Sequence, residues 1–460
     1  MNNRFPAAVG VMAALVGSAY ALYGLFRHWH FGSSAYDLGI FDQAVWHLSR
    51  LEAPASTIRG VSNLFGDHFH PVIALFAPLY WIWSGPETLI VAQAALLAAS
   101  VIPVFLYARD RLSACSAHLV AAAYALFWAI QRMMAFDVHE LAFAPLAIAT
   151  AILAMERRQW TAFWIAAGSL MLIKEDLIPL LTGFGAYLFV RGERRRGAAL
   201  VAASLVSLAV VVGIIVPGFN DAGRYEYTSA VTPLMREPWR IPVALVTPPV
   251  KLVTLFMWLA PFLFLPLASP LILVAVPVMV ERFLSASPNH WGTVFHYSAP
   301  LAPILAMSAA DGLARLGRAH PRPITAAAAA MVVLCAVLPG RQPLWRVFAA
   351  GHYRGTPAAV TGRHVVALVP PGASVVAQAT IVPHLSQRST IYVLQPLAPE
   401  SEYVVAQADL SPWPNVSRDA LQRLVDERQR RGYVVIYARD GWVLLRGPSR
   451  DVKDGNGTGR

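Results

Sequence analysis

Eleven apolar runs follow one another through the first 340 residues of this 460-residue chain. They lie at about 7–26, 86–108, 113–133, 140–155, 160–174, 176–190, 197–216, 250–267, 270–284, 297–316 and 324–340. A helix needs roughly 20 mostly apolar residues to cross a bilayer, and a soluble domain does not repeat that pattern so often. The short runs around Lys174 and Ser269 read as tight hairpins. Composition agrees, with 57% hydrophobic and 14% charged residues, where soluble domains carry about a quarter charged. A purely soluble enzyme and a disordered chain are both excluded. The expected fold class is mainly α: a polytopic membrane protein of about 11 transmembrane helices.

The first run contains Ala19-Tyr20-Ala21, similar to a signal-peptidase site. Its apolar stretch continues to Phe26 behind only Arg4, so a retained anchor is expected. An odd number of spans puts the two termini on opposite sides. With the N-terminus in the cytoplasm, the short inner loops hold Arg109, Arg111, Arg157, Arg158, the run Arg191-Gly-Glu-Arg-Arg-Arg196, Arg315, Arg318 and Arg322. Asp110, Glu156, Glu193 and Asp311 are the acids among them. That density of arginine meets the positive-inside rule. It also accounts for the net charge of +11, so no nucleic-acid partner is expected. Cys115 and Cys335 lie inside apolar runs and offer neither a disulfide framework nor a thiolate metal site.

From about Gln342 the character changes, and three regions are expected: a transmembrane domain over residues 1–340, an extracytoplasmic α/β domain over 341–450 and a disordered tail over 451–460. Ser374–Gln378, Thr390–Leu394 and Tyr403–Gln407 read as strands. Ser417 is placed to cap a helix over Arg418–Arg431, with Gly432 to end it. Tyr433–Ala438 and Trp442–Arg446 then pair across Asp440-Gly441, a hairpin-type dipeptide. No internal repeat of 20–50 residues is present.

On this topology the acids and histidines gather at the outer ends of the spans, which suggests a cavity there. The first outer loop, about 27–70, is too long for a simple connection. Within it, Leu38, Phe41, Val45 and Leu48 recur at helical spacing, so an amphipathic helix is expected. Asp37 precedes that helix as either its N-cap or a catalytic carboxylate, and Asp42 follows five residues later. Asp67, His68 and His70, in Phe65-Gly-Asp-His-Phe-His-Pro71, can ligate a divalent metal, with a further ligand needed from elsewhere. His139 and Glu140, in Asp137-Val-His-Glu140, open the fourth run on the same face. Lys174-Glu175-Asp176 sits between apolar residues with no glycine or serine to make room, and charges so embedded are costly unless they serve a function. Lys174 suits a phosphate group, as does Arg282, which can bind it bidentately. His290, His296 and Tyr297 add polar groups nearby. No Walker loop, dinucleotide fingerprint, Gly-x-Ser-x-Gly elbow or His-Glu-x-x-His motif occurs.

Tyr36-Asp37-Leu38-Gly39, Phe41-Asp42-Gln43, Phe65–Pro71, Val138-His139-Glu140 and Lys174-Glu175-Asp176 together resemble the predicted-membrane-protein family of unknown function numbered two thousand and seventy-nine. Pro371–Val375, Val382-Pro-His-Leu-Ser386 and Ile391-Tyr392 fit the same family, so the resemblance runs over most of the chain. Its layout is similar to that of the GT-C glycosyltransferases, which have many spans, a long first outer loop carrying an Asp, and a soluble outer domain. That likeness implies transfer of a sugar from a polyprenyl-phosphate donor to a glycan, lipid or protein acceptor outside the cytoplasm of a bacterial cell. GT-C enzymes often carry an Asp/Glu pair at close spacing in the first loop. Here Gly39 stands two residues after Asp37, and the base is left between Asp37 and Asp42.

The function expected is thus a membrane glycosyltransferase of inverting type. Asp37 is the leading base; Lys174 and Arg282, with His139, stabilise the departing lipid phosphate. Glu140, Glu175, Asp176 and His296 complete the substrate-binding set, and a divalent metal at Asp67, His68 and His70 is the only cofactor in view. The alternative is a transporter or flippase of a lipid-linked saccharide, using the same cations without a chemical step. A third reading makes the C-terminal domain a polysaccharide-binding module on a membrane anchor, for which eleven spans are excessive.

Overall fold

Every one of the eleven apolar runs is helical in the computed structural model, which describes residues 7–227, 237–317, 323–387 and 390–448. The tail expected to be disordered lies outside the described residues, as do Arg4, Arg318 and Arg322. The helices that matter below are α1 (Ala7–Trp29), α2 (Ile40–Ser49), α3 (Pro86–Arg109), α4 (Ala114–Leu126), α5 (Trp128–Ala135), α6 (Phe143–Glu156), α7 (Trp160–Ile173), α8 (Pro179–Val190) and α9 (Arg194–Val210). They continue with α10 (Val250–Leu259), α11 (Val276–Leu284), α12 (Leu301–Gly317), α13 (Ile324–Val337), α14 (Pro357–Leu368) and α15 (Arg418–Arg430).

Among the described residues, four helices are long and apolar enough to cross a membrane unaided: Ala7–Trp29, Pro86–Arg109, Ala114–Ala135 and Arg194–Phe219. The pair Pro238–Val246 and Val250–Phe262, bent by 64°, makes a fifth if taken as one span. The other runs are cut short by prolines and charges. α7, for example, has 14 residues, about 21 Å of helix, and stops where Lys174 turns to extended backbone. A one-turn 3-10 helix, Glu175–Leu177, and then Pro179 start α8. The Phe163 and Phe184 rings meet across the resulting hairpin at 5.7 Å.

The chain divides into two units. The first comprises Met1–Phe26, Ala44–Ser56 and Val61–Tyr353. Its helices pack in sequence-neighbour pairs, α3 on α4, α6 on α7 and α8 on α9, while α13 returns to lie against α4. Gly185 and Gly197 let α8 and α9 approach closely, because a Cβ on either would stand 2.8 Å from the other's carbonyl oxygen. Small residues at helix contacts are how helices approach in an apolar solvent that supplies no hydrophobic drive.

The second unit comprises Arg27–Gln43, Thr57–Gly60 and Arg354–Arg460. Its strands β1 (Ser374–Ala377), β2 (Thr390–Val393), β3 (Tyr403–Gln407), β4 (Val434–Arg439) and β5 (Trp442–Arg446) form one sheet of order β2-β1-β3-β5-β4. The first three strands are parallel and the last two antiparallel, with Tyr403 opposite Arg446 and Arg439 opposite Trp442. Asp440 and Gly441, both at positive φ, make the turn between β4 and β5, as a two-residue hairpin of this type requires. α15 starts at Ser417, whose hydroxyl accepts from the Ala420 N–H. It buries Leu421 and Val425 against Val376, Val404 and Leu445. α14 was not anticipated, although Thr356-Pro357 is a readable start signal: Thr356 caps it and Pro357 is its first residue.

Candidate functional site

The two acidic motifs of the first outer loop belong to different units. Tyr36–Gln43 is part of the α/β unit. The amphipathic helix expected there forms as α2, preceded by a π-turn over Ala35–Gly39. Asp37 is not the N-cap. That place is taken by Ser34, and Asp37 is the third residue of the π-turn, half-buried. π-turns are rare and concentrate at functional sites. The turn is held from several sides: Ala35 N–H donates to the Ala379 carbonyl at 2.9 Å, and the Tyr36 hydroxyl donates to Gln395 at 3.2 Å. Asp42, fully buried, accepts from the Ser386 hydroxyl at 2.6 Å on one oxygen and from the Gln387 amide at 2.7 Å on the other. The family-like segments Tyr36–Gln43 and Val382–Ser386 therefore touch one another within this unit.

The second motif sits in the helical unit beside the Lys174 break. Gly66 opens it at a point where the chain passes Phe219 so closely that a Cβ would lie 2.4 Å from its carbonyl oxygen. Glu175 then gathers the loop. Its Oε1 accepts from His68 Nδ1 at 2.5 Å and from the Tyr225 hydroxyl at 3.1 Å, and its Oε2 accepts from the Phe69 N–H at 2.9 Å. Burial and the Lys174 charge work against a charged His68, but Glu175 and Asp176 outweigh them and raise its pKa. Burial likewise opposes the Glu175 carboxylate, yet His68 and Lys174 bring it down to about 2. The Glu175 carboxylate therefore favours the protonated form of His68. Tyr227 stacks on it at 4.5 Å and donates to Asp67 at 2.9 Å.

Lys174, at the end of α7, holds Glu140 at 3.1 Å and Asp176 at 3.7 Å. His139 stacks on His296 with ring centroids 3.6 Å apart, and Phe136 lies against His296 at 5.4 Å. Gln93 of α3 fixes this corner by donating to the Met133 and Asp137 carbonyls, at 3.2 and 2.7 Å, and accepting from the His139 N–H at 3.1 Å. The corner bends through Asp137 at φ +67, a conformation uncommon outside glycine. Arg282, buried at the end of α11, donates from Nε to the His290 carbonyl at 3.1 Å and from Nη1 to the Ser298 hydroxyl at 2.6 Å. Its guanidinium also rests over Trp258, 5.1 Å from the ring centroid.

The expected metal trio does not converge. His68 and His70 are 6.5 Å apart by ring centroid. His68 and Asp67 are instead engaged by Glu175 and Tyr227, and no group of three or more metal-ligating side chains clusters among the described residues. Gln93, Tyr225, Tyr227, Ser386 and Gln387 were not anticipated. Two of them left a signal: Gln93 as an isolated amide inside a 24-residue apolar helix, and Ser386 as the last residue of a family-like segment.

The family of predicted membrane proteins DUF2079 matches residues 27–444, which include parts of both units. The chain belongs to that family. No curated protein matches it. Among solved structures, ArnT from Cupriavidus metallidurans bound to undecaprenyl phosphate is similar at 12% identity and TM-score 0.59, covering 96% of this chain and 100% of that one. The apo form of the same enzyme gives 13% identity, TM-score 0.60 and the same coverage. The oligosaccharyltransferase AglB from Archaeoglobus fulgidus, with an inhibitory peptide and a dolichol-phosphate, gives 14% identity and TM-score 0.45 over 96% of this chain and 75% of that one. The fold is that of the GT-C glycosyltransferases, a helical membrane region with a small C-terminal sheet domain.

Proposed function

We propose that this protein is a membrane glycosyltransferase that moves a sugar from a polyprenyl-phosphate donor to an acceptor outside the cytoplasm. The observation that carries the reading is the full-length likeness to ArnT, an enzyme crystallised with undecaprenyl phosphate. The protein would reside in a bacterial cytoplasmic membrane, N-terminus inside and α/β unit outside, as the inner-loop arginines favour.

In this reading Asp37 is the general base. Asp42 is a poor candidate because neutral donors occupy both its oxygens and it is sealed from solvent. Asp37 takes the proton of the acceptor hydroxyl as that oxygen bonds to the anomeric carbon. The bond from that carbon to the phosphate oxygen breaks with inversion, and polyprenyl phosphate leaves with the electron pair. Lys174 is the cation for the leaving group. Its ammonium holds Asp176 only at 3.7 Å, beyond hydrogen-bond reach, so a donor remains for a phosphate oxygen. Arg282 uses three of its five N–H donors on His290 and Ser298, so it props that segment and keeps donors for a second phosphate contact. No step is assigned to a metal.

The break between α7 and α8 at buried charges also occurs in transporters, so a flippase without chemistry is the rival. A donor-turnover assay separates them: purified protein in lipid, a panel of radiolabelled polyprenyl-phosphate sugars, and an Asp37→Asn control. Release of polyprenyl phosphate that depends on Asp37 is expected. Binding without turnover across the panel would replace the transferase with the transporter.

A further inference from the structure

The helix ends opposite the Glu140–Lys174 cluster bound a second cleft that the proposed reaction does not use. Glu140 precedes α6 and Lys174 follows α7, so the turn joining the two helices lies a helix length away, about 21 Å. Between that turn and the one joining α8 to α9 is a cleft of about 250 Å³, with Glu156, Arg158, Trp160, Tyr187, Arg191 and Glu193 in its walls.

The walls of the cleft hold two arginines and two glutamates, but the turns that bound it add further arginines, of which Arg157 is paired with Asp110 at 2.8 Å. Residues 156–158 and 191–196 hold six arginines against two glutamates. Both glutamates are already committed. Glu156 accepts from the Tyr187 hydroxyl at 2.5 Å and pairs with Arg111; Glu193 pairs with Arg196 at 2.5 Å and is 3.8 Å from Arg158. Among the described residues, Arg191, Arg194 and Arg195 are within ion-pair distance of no carboxylate. Arg157 and Arg191 end α6 and α8, where a cation offsets the helix dipole. That explanation fails for Arg194-Arg195-Arg196, which form the first turn of α9 with no acid among them. Positive charge there opposes the dipole, and the one acid beside it, the N-cap residue Glu193, is already paired with Arg196.

The two turns are built alike, and the difference between them is informative. Gln159 N–H bonds back to Ala154, and Glu193 N–H to Leu188, so each helix closes with the same i to i−5 bond. The left-handed position of that motif is Gly192 in one turn, at φ +82, but Arg158 in the other, at φ +56. An arginine in that conformation carries a backbone cost that glycine would not. Arg158 is also 78% exposed, so packing does not explain it. Trp160 stands beside it with the Arg196 guanidinium 4.0 Å from its ring, an aromatic of the kind that settles at headgroup level.

We propose that this cleft binds a phosphate ester, and that its source is the headgroup of an anionic membrane lipid held by Arg158 and Arg191. Basic pockets between spans on the cytoplasmic side bind such headgroups. The test is the thermal unfolding of full-length protein in detergent micelles with increasing phosphatidylglycerol, phosphatidylcholine or inorganic phosphate. Phosphatidylglycerol is expected to raise the midpoint saturably and phosphatidylcholine to leave it unchanged. The double substitution Arg158→Gln, Arg191→Gln should weaken the apparent lipid affinity about thirtyfold, roughly fivefold for each basic side chain. Arg158→Gly guards against misfolding as an explanation. Glycine relieves the left-handed backbone, so this variant should melt higher without lipid yet bind it about fivefold more weakly. An equal shift with phosphatidylcholine, or unchanged lipid affinity in both variants, would overturn the site. An equal shift with the same concentration of inorganic phosphate would keep the phosphate site and overturn the lipid as its source.

Discussion

One outer loop contributes a segment to each unit, Tyr36–Gln43 to one and Phe65–Pro71 to the other, and the carboxylates at those segments have different neighbours. In the α/β unit, Asp42 is buried against two neutral donors, Ser386 and Gln387. In the helical unit, Glu175 and Glu140 are buried against cations, His68 and Lys174. Neutral donors satisfy a carboxylate's lone pairs without cancelling its charge; an ion pair does both but leaves two charges that depend on one another. The first arrangement makes Asp42 a strut between α2 and the segment after Val382. The second makes the Lys174 break an assembly whose members cannot be removed singly. Asp37 is the third residue of the π-turn and half-buried, five residues before Asp42.

The largest effect that would break this division is catalytic. Asp37→Asn should lower sugar transfer by about 10²–10⁴-fold, the usual contribution of one positioned base, without a comparable loss of stability. Asp42→Asn should do the reverse: transfer per folded molecule within a few fold of wild type, and stability lower by about 1–3 kcal/mol, since an amide cannot accept on both sides. Turnover and thermal unfolding of both variants decide it. If Asp42→Asn lost turnover and kept its stability, the two roles would be exchanged. Next in size is Lys174→Met, which strands Glu140 and Asp176 beside each other and should cost about 3–5 kcal/mol. Adding Glu140→Gln should return some of that loss. A double variant no more stable than the single one would mean that Lys174 is not what holds Glu140 buried.

Much of this was open to the sequence because it is local. The strands at Ser374, Thr390 and Tyr403, the Ser417-capped helix and the Asp440-Gly441 turn all follow from alternation, caps and turn chemistry within a few residues. The Lys174-Glu175-Asp176 trio stood out because apolar sequence flanks it on both sides. What carboxylates are paired with was not local. Ser386 lies 344 residues from Asp42, and Glu175 lies 107 from His68. A hydropathy window also cannot register a break such as extended Phe127, at φ −62 and ψ 134, between α4 and α5. The spacing makes Asp37 a fair N-cap, but a π-turn over Ala35–Gly39 puts the cap three residues earlier, at Ser34.

Two histidines carry the same contrast into pH. His384, in the α/β unit, stacks on His28 with centroids 4.1 Å apart. Burial first, and then the Arg363 charge, push its imidazole down to about 3, against a backbone hydrogen bond at His28 that favours protonation. A folded-state pKa below the unfolded value of about 6.5 gives stability that is present above 6.5 and is lost as pH falls. Between pH 6.5 and 5 the loss should be about 2 kcal/mol. His384→Gln should flatten that slope in a thermal unfolding series, and an equally steep slope in the variant would remove His384 as its cause.

His68 runs the other way, and its effect should be the smallest. Its pKa is raised despite burial because Glu175 is bonded to it. Its stabilisation is therefore complete below about pH 6.5 and disappears as pH rises through the folded value. Glu175, lowered to about 2, contributes above about pH 4.3 and loses that only on strong acidification. The pair is whole between those limits. Unfolding midpoints measured from pH 6 to 9 should decline in the wild type and decline less in His68→Gln. Identical profiles would show that the pair at Glu175 is a neutral hydrogen bond, and the helical unit would then stabilise this carboxylate in the same way as the α/β unit stabilises Asp42.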